Sequence, residues 1–69
     1  MYATIWYAGI VILSMGYQGM TDQECHSLTT VMRNDIHDAY VENNNEPING
    51  YEKQYFEVTC ENENLFKGE

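Results

Sequence analysis

Thr21 and the twenty residues after it constrain this chain most. Glu24 stands three positions beyond Thr21, the reciprocal pair of a capping box, and Asp22 adds negative charge where a helix N-terminus favours it. Met20, just before the cap, is placed to staple against Cys25 at the fourth helical position. Cys25, Leu28, Met32, Ile36 and Ala39 then recur every three or four residues, which predicts a helix from Asp22 to about Val41 with one apolar stripe. Such a stripe must meet the sheet that the flanking segments form.

Residues 2 to 15 are dense in Tyr, Ile, Trp and Val, and Gly9 interrupts them where a helix would lose about 1 kcal/mol. Two strand readings stand. Ala8-Gly9 forms a tight turn between strands near 2 to 7 and 10 to 16, or one long strand bends at a bulge on Gly9, because the Asn-Gly or Asp-Gly turn signal is missing. Gly16 and Gly19 bracket an exit loop. The segment from Glu42 to Gly50, with three consecutive asparagines and Pro47, reads as a surface loop. From about Gln54 to Glu61, Phe56, Val58 and Cys60 alternate with Tyr55, Glu57, Thr59 and Glu61, a strand with one wet face. The order is β-β-α-β. It predicts an α+β domain with a three-stranded, mainly antiparallel sheet and one helix on one face. Ile5, Tyr7, Phe56, Val58 and either Val11 or Ile12 form the sheet's inner layer, opposite Leu28, Met32 and Ile36.

A chain of 69 residues supports one small core, so residues 1–66 are read as a single domain and 67–69 as a flexible tail. Leu65 and Phe66 either fold back or stay loose. Apolar residues make up 43% of the chain, enough for that core and too many for general disorder. Eleven acids against Arg33, Lys53 and Lys67 give a formal charge of -8, which disfavours direct binding to nucleic acid and favours a basic protein surface as partner. The apolar run from Ala3 to Met15 is shorter than the ~20 residues of a membrane-spanning helix and lacks the flanks of a secretory signal. Cytoplasmic residence is expected, with no membrane partner. A core this small also leaves aromatic residues for a second copy to cover, so a homodimer is compatible with the sequence.

Cys25 on the helical stripe and Cys60 on the inward face of the last strand fall in one layer, either as two buried thiols, the usual state in a reducing cytosol, or as one bridge. His26 and His37 share a helical flank but lie roughly 16 Å apart along the axis, too far to share a metal. Cys25 lies among acids, the reverse of what a reactive thiolate needs. No metal, cofactor or catalytic set is expected. Glu24, Asp35, Asp38 and Glu42 fall within roughly a 60° sector beside the stripe, a ridge of about 27 Å with Val31 inside it. This is either a solvated helix face or a docking surface for a basic groove. Trp6 and Tyr55, and less clearly Tyr17, are the aromatic candidates for an interface.

The runs Thr4 to Gly9, Met15 to Gly19, Glu24-Cys25, Asn34 to Ile36 and Phe56 to Glu61 resemble small accessory and early proteins of tailed bacteriophages. That resemblance implies a setting: small acidic phage products bind and inhibit host nucleic-acid enzymes, in some cases by DNA mimicry. It implies a non-enzymatic inhibitor of a DNA- or RNA-processing protein in the host cytoplasm, or else a homodimeric structural or assembly accessory without inhibitory activity.

Overall fold

In the computed structural model, which describes residues 1–66, β1 (Tyr2–Tyr7) and β2 (Ile10–Gly16) form a hairpin. They are followed by α1 (Asp22–Glu42), a 3₁₀ turn at Lys53–Tyr55 and β3 (Phe56–Glu61). The sheet order is β2-β1-β3 with both pairings antiparallel, so β1 is central and α1 packs on β1 and β3. This is the α+β arrangement expected from the sequence. The flexible tail expected at 67–69 lies outside the described residues.

The hairpin resolves the two strand readings in a way that uses both devices. Ala8 and Gly9 are the two turn residues, with φ of 50° and 83°, the left-handed pair of a type I′ turn whose twist matches the strands it joins. There is also a bulge, but it sits at Ile12: Ile5 faces Leu13 while Trp6 faces Val11. The extra residue turns Val11 onto the sheet face away from the helix, with Trp6. Neither Val11 nor Ile12 therefore joins the inner layer as expected. Leu13 and Met15 occupy those inward positions, opposite Ile5 and Ala3. At the far end of the hairpin Gly16 has φ 144°, and a Cβ there would come within 2.6 Å of the Met1 carbonyl oxygen and 2.8 Å of Met20 Cε. The exit from β2 can therefore pass close beneath the chain only as glycine.

The capping box forms as read. The Thr21 hydroxyl accepts from the Glu24 N–H at 3.1 Å, and the Glu24 carboxylate accepts from the Thr21 N–H at 2.9 Å. The helix then buries Cys25, Thr29, Met32 and Tyr40, with Leu28 and Ile36 partly covered. Ala39 is exposed, contrary to its expected place on the stripe. The spacing of four from Met32 through Ile36 to Tyr40 carries the buried line round toward β3. There the Tyr40 ring packs edge-on to Phe56 and its hydroxyl donates to the Tyr51 carbonyl at 2.6 Å. Thr29 tolerates burial because its hydroxyl donates to the His26 carbonyl at 2.9 Å.

Two clusters hold the layers together. At the N-terminal end of α1, Ala3, Met20, Cys25, Met32 and Val58 form the apolar core, and Cys25 is joined to Cys60 by a disulfide with Cα atoms 6.1 Å apart. The bridge replaces the pair of buried thiols that a reducing setting favours. It forms because Cys60 lies opposite fully buried Ala3, whose small side chain lets the first helical turn come down onto the sheet. At the other end Tyr7, Tyr40, Tyr51, Tyr55 and Phe56 form an aromatic cluster, with Tyr7 centroids 4.8 Å from both Tyr51 and Phe56. The Tyr7 hydroxyl accepts from the Glu52 N–H at 2.9 Å, tying the 43–55 connection to the sheet. That connection turns where Asn44, Asn45 and Asn49 adopt positive φ, the reason for its side-chain amides. Gln54 and Tyr55 were expected to begin the last strand but belong to the 3₁₀ turn that delivers it.

Candidate interaction surface

The two flanks of α1 differ in chemistry, and the contacts show which way each points. Arg33 donates from its guanidinium to the Val58 carbonyl in β3 at 2.7 Å, and Lys53, next to β3, donates to His37 Nδ1 at 2.9 Å. The Arg33 and His37 flank thus lies over β3. The opposite flank, with Val31, Asp35, Asp38 and Glu42, overhangs the β2 side of the sheet, and all four residues are exposed.

Glu24 shares this flank but has a structural task. Its carboxylate accepts from the Thr21 N–H and hydroxyl and from the Tyr17 hydroxyl at 3.0 Å. These bonds, the Thr21 N–H foremost, hold its pKa below the usual glutamate value, while the same contact raises that of Tyr17. On this flank Asp35, Asp38 and Glu42, spread over about 10 Å of helix, have no hydrogen-bond or ion-pair partner among the described residues.

Trp6 and Tyr55 do not share a surface. Trp6 lies half-buried on the sheet face away from α1. Its indole N–H donates to the Thr59 hydroxyl at 2.8 Å, and that hydroxyl donates to Glu61 at 2.7 Å. Tyr55 is exposed, with its ring edge-on to Tyr7 on the helix side. Trp6 is thus part of a side-chain network that covers the outer sheet face, where Thr4 and Ser14 also pair, and Tyr55 belongs to the rim of the aromatic cluster.

Sequence reasoning missed an apolar strip along β2. Ile10, Ile12, Leu13 and Met15 are 68%, 40%, 37% and 46% exposed, because α1 sits over β1 and β3 and leaves β2 beyond its edge. The run Ile10-Val11-Ile12-Leu13 carried the signal, since it lacks the polar alternation of a half-wet strand. They lie on the β2 side of the sheet, the side toward which the flank bearing Val31 and the free carboxylates points.

The clefts offer less. One of about 420 Å³ is lined by Asn45, Pro47, Glu52, Lys53, Gln54 and Phe56, and one of about 170 Å³ lies between Arg33, Ile36, Lys53, Phe56 and Val58. Among the described residues no three His, Cys, Asp or Glu side chains gather closely enough to hold a metal ion, and no helix is long and apolar enough to cross a membrane. No family model, characterised protein or solved structure matches the chain.

Proposed function

We propose that the protein is a non-enzymatic binding module that docks on the basic surface of a protein partner through Val31, Asp35, Asp38 and Glu42. The observation that carries this reading is the placement of unpartnered carboxylates around an exposed valine, beside the uncovered apolar strip of β2. Charge of this kind speeds encounter and fixes orientation, while burial of Val31 and its neighbours slows release. The resemblance to phage proteins supplies the partner class, a host DNA- or RNA-processing enzyme whose function the docking would inhibit.

Recognition of a protein surface accounts for the flank better than DNA mimicry does. Duplex DNA presents one negative charge per ~1.7 Å of axis, whereas the ridge from Glu24 to Glu42 offers four carboxylates over about 27 Å. The ridge alone is several-fold too sparse to reproduce a phosphate backbone. The spacing suits a few Lys or Arg side chains in a groove.

The test compares capture of host proteins by the wild type and by D35N/D38N, followed by kinetics against whatever is captured. Exposed charges contribute little to folding, so the double variant should keep its stability within about 1 kcal/mol. Its association should slow, the wild-type rate should fall as salt rises, and V31A should act mainly on dissociation. Equal capture and unchanged rates for D35N/D38N at low salt would remove the acidic flank as the recognition surface. Capture of virion components in place of a host enzyme would support the assembly-accessory reading, for which the apolar β2 strip is the favouring observation.

A further inference from the structure

β2 is an edge strand, and it lacks the protection that its opposite number has. On the other edge β3 carries Glu57 and Glu61, and the Arg33 guanidinium donates to its Val58 carbonyl. Charged side chains of this kind are the usual defence against edge-to-edge pairing. β2 has no charged residue and no proline, and the first Asp, Glu, Lys, Arg or His in the chain is Asp22. Its side chains are apolar toward the helix side at Ile10, Leu13 and Met15 and toward the other face at Val11.

We propose that two copies of this chain pair antiparallel along β2, about a two-fold axis near Ser14, to make one six-stranded sheet. Charge selects a second copy over other occupants. All eleven acids and all three bases lie beyond residue 21, so two molecules of net charge -8 can pair along β2 with no charged side chain in either pairing strand. A basic partner would find no counter-charge on this strand. The bulge at Ile12 bends the hairpin end away, which leaves Leu13 to Gly16 as the straight segment and sets Leu13 of one copy opposite Met15 of the other. The two-fold axis, perpendicular to the sheet, places both helices on the same face.

With strands ~4.8 Å apart and each helix over β1 and β3, the two helix axes stand about 20 Å apart or slightly more. Helices of about 10 Å diameter then leave a trough roughly one helix wide, floored by Leu13 and Met15 and walled by Val31 and Asp35. The acidic walls face each other at about one Debye length, so salt screens their repulsion. Salt should therefore tighten the dimer, while it weakens docking of a basic partner.

Sedimentation velocity on the intact, disulfide-bonded chain tests this over roughly 10 to 200 µM, the range in which mass action separates monomer from dimer. The wild type should reach twice its 8.0 kDa mass, and D35N/D38N should stay dimeric. Ile12→Lys and Met15→Lys should each sediment as monomers with unchanged circular dichroism; if the second unfolds, the first, at the bulge, carries the test. The wild-type dimerisation constant should strengthen several-fold between low and physiological salt. A wild type that remains at 8.0 kDa throughout, lysine variants that still dimerise, or a dimer that weakens as salt rises would overturn the proposal. Partner binding plays no part in these measurements, so loss of the acidic-flank reading would leave the β2 pairing standing.

Discussion

Ala8 shows how a single residue can work against the turn that it makes. Its φ of 50° lies in the left-handed region, where a Cβ costs roughly 1 kcal/mol, yet the two-residue connection from Tyr7 to Ile10 requires that conformation at both central positions. Gly9 meets the requirement without strain. Ala8 is held there by the closed hairpin and by its own N–H, which donates to the Tyr55 carbonyl at 2.9 Å and so links the turn to the approach to β3. Ala8→Asn keeps that N–H and installs the residue pair that the turn prefers. It should stabilise the protein by about 0.5 to 1 kcal/mol, read as a higher denaturant midpoint at unchanged slope. A lower midpoint would show that the left-handed position is not what limits this turn.

At the scale of elements, α1 depends on its first turn. Thr21, Glu24 and Tyr17 satisfy one another there, and the disulfide leaves from the next residue. Because the folded-state pKa of Glu24 is depressed, its contribution to stability is present above the ordinary value of 4.5. That contribution is lost as pH falls through the lower folded value. Thermal melts of the wild type and E24Q should differ by a constant amount at neutral pH, and the difference should shrink as pH drops below 4.5. A gap that stays constant to the lowest pH would mean that the carboxylate's charge plays no part in the cap. The same helix carries unpartnered Asp35, Asp38 and Glu42 on the flank away from β3, so cap and docking surface use different carboxylates of one ridge.

For the whole molecule the covalent tie outweighs any single contact. The Cys25–Cys60 bridge closes a 35-residue span from the first turn of the helix to the last strand, enclosing most of α1 and the loop after it. In the chain-entropy picture a loop of that length is worth about 3 to 4 kcal/mol, a large share of what so small a core provides. Reduction should therefore lower the melting temperature by about 12 °C or more. Without reductant, no free thiol should be titrated even in denaturant. A melting temperature unchanged by reduction would show that packing around Ala3, Met32 and Val58 suffices by itself. It would also show that the fold is compatible with the cytoplasmic residence expected from the sequence, where thiols are kept reduced.

The elements themselves were legible because local chemistry specifies them. The capping box and stripe marked Asp22 onward as helix, Gly9 marked a break, and the alternation around Phe56 to Cys60 gave the last strand and its inward face. The ridge of Asp35, Asp38 and Glu42 was legible too, since helical periodicity fixes which residues share a flank. Placement across the sheet was not. Whether the cysteines meet depends on Ala3 lying opposite Cys60, and whether Leu13 and Met15 are covered depends on α1 sitting over β3. The bulge at Ile12 depends on how two strands pair, a property that neither strand carries alone. Periodicity assigns a residue to a face of its own element, and only the packing of elements decides what, if anything, that face meets.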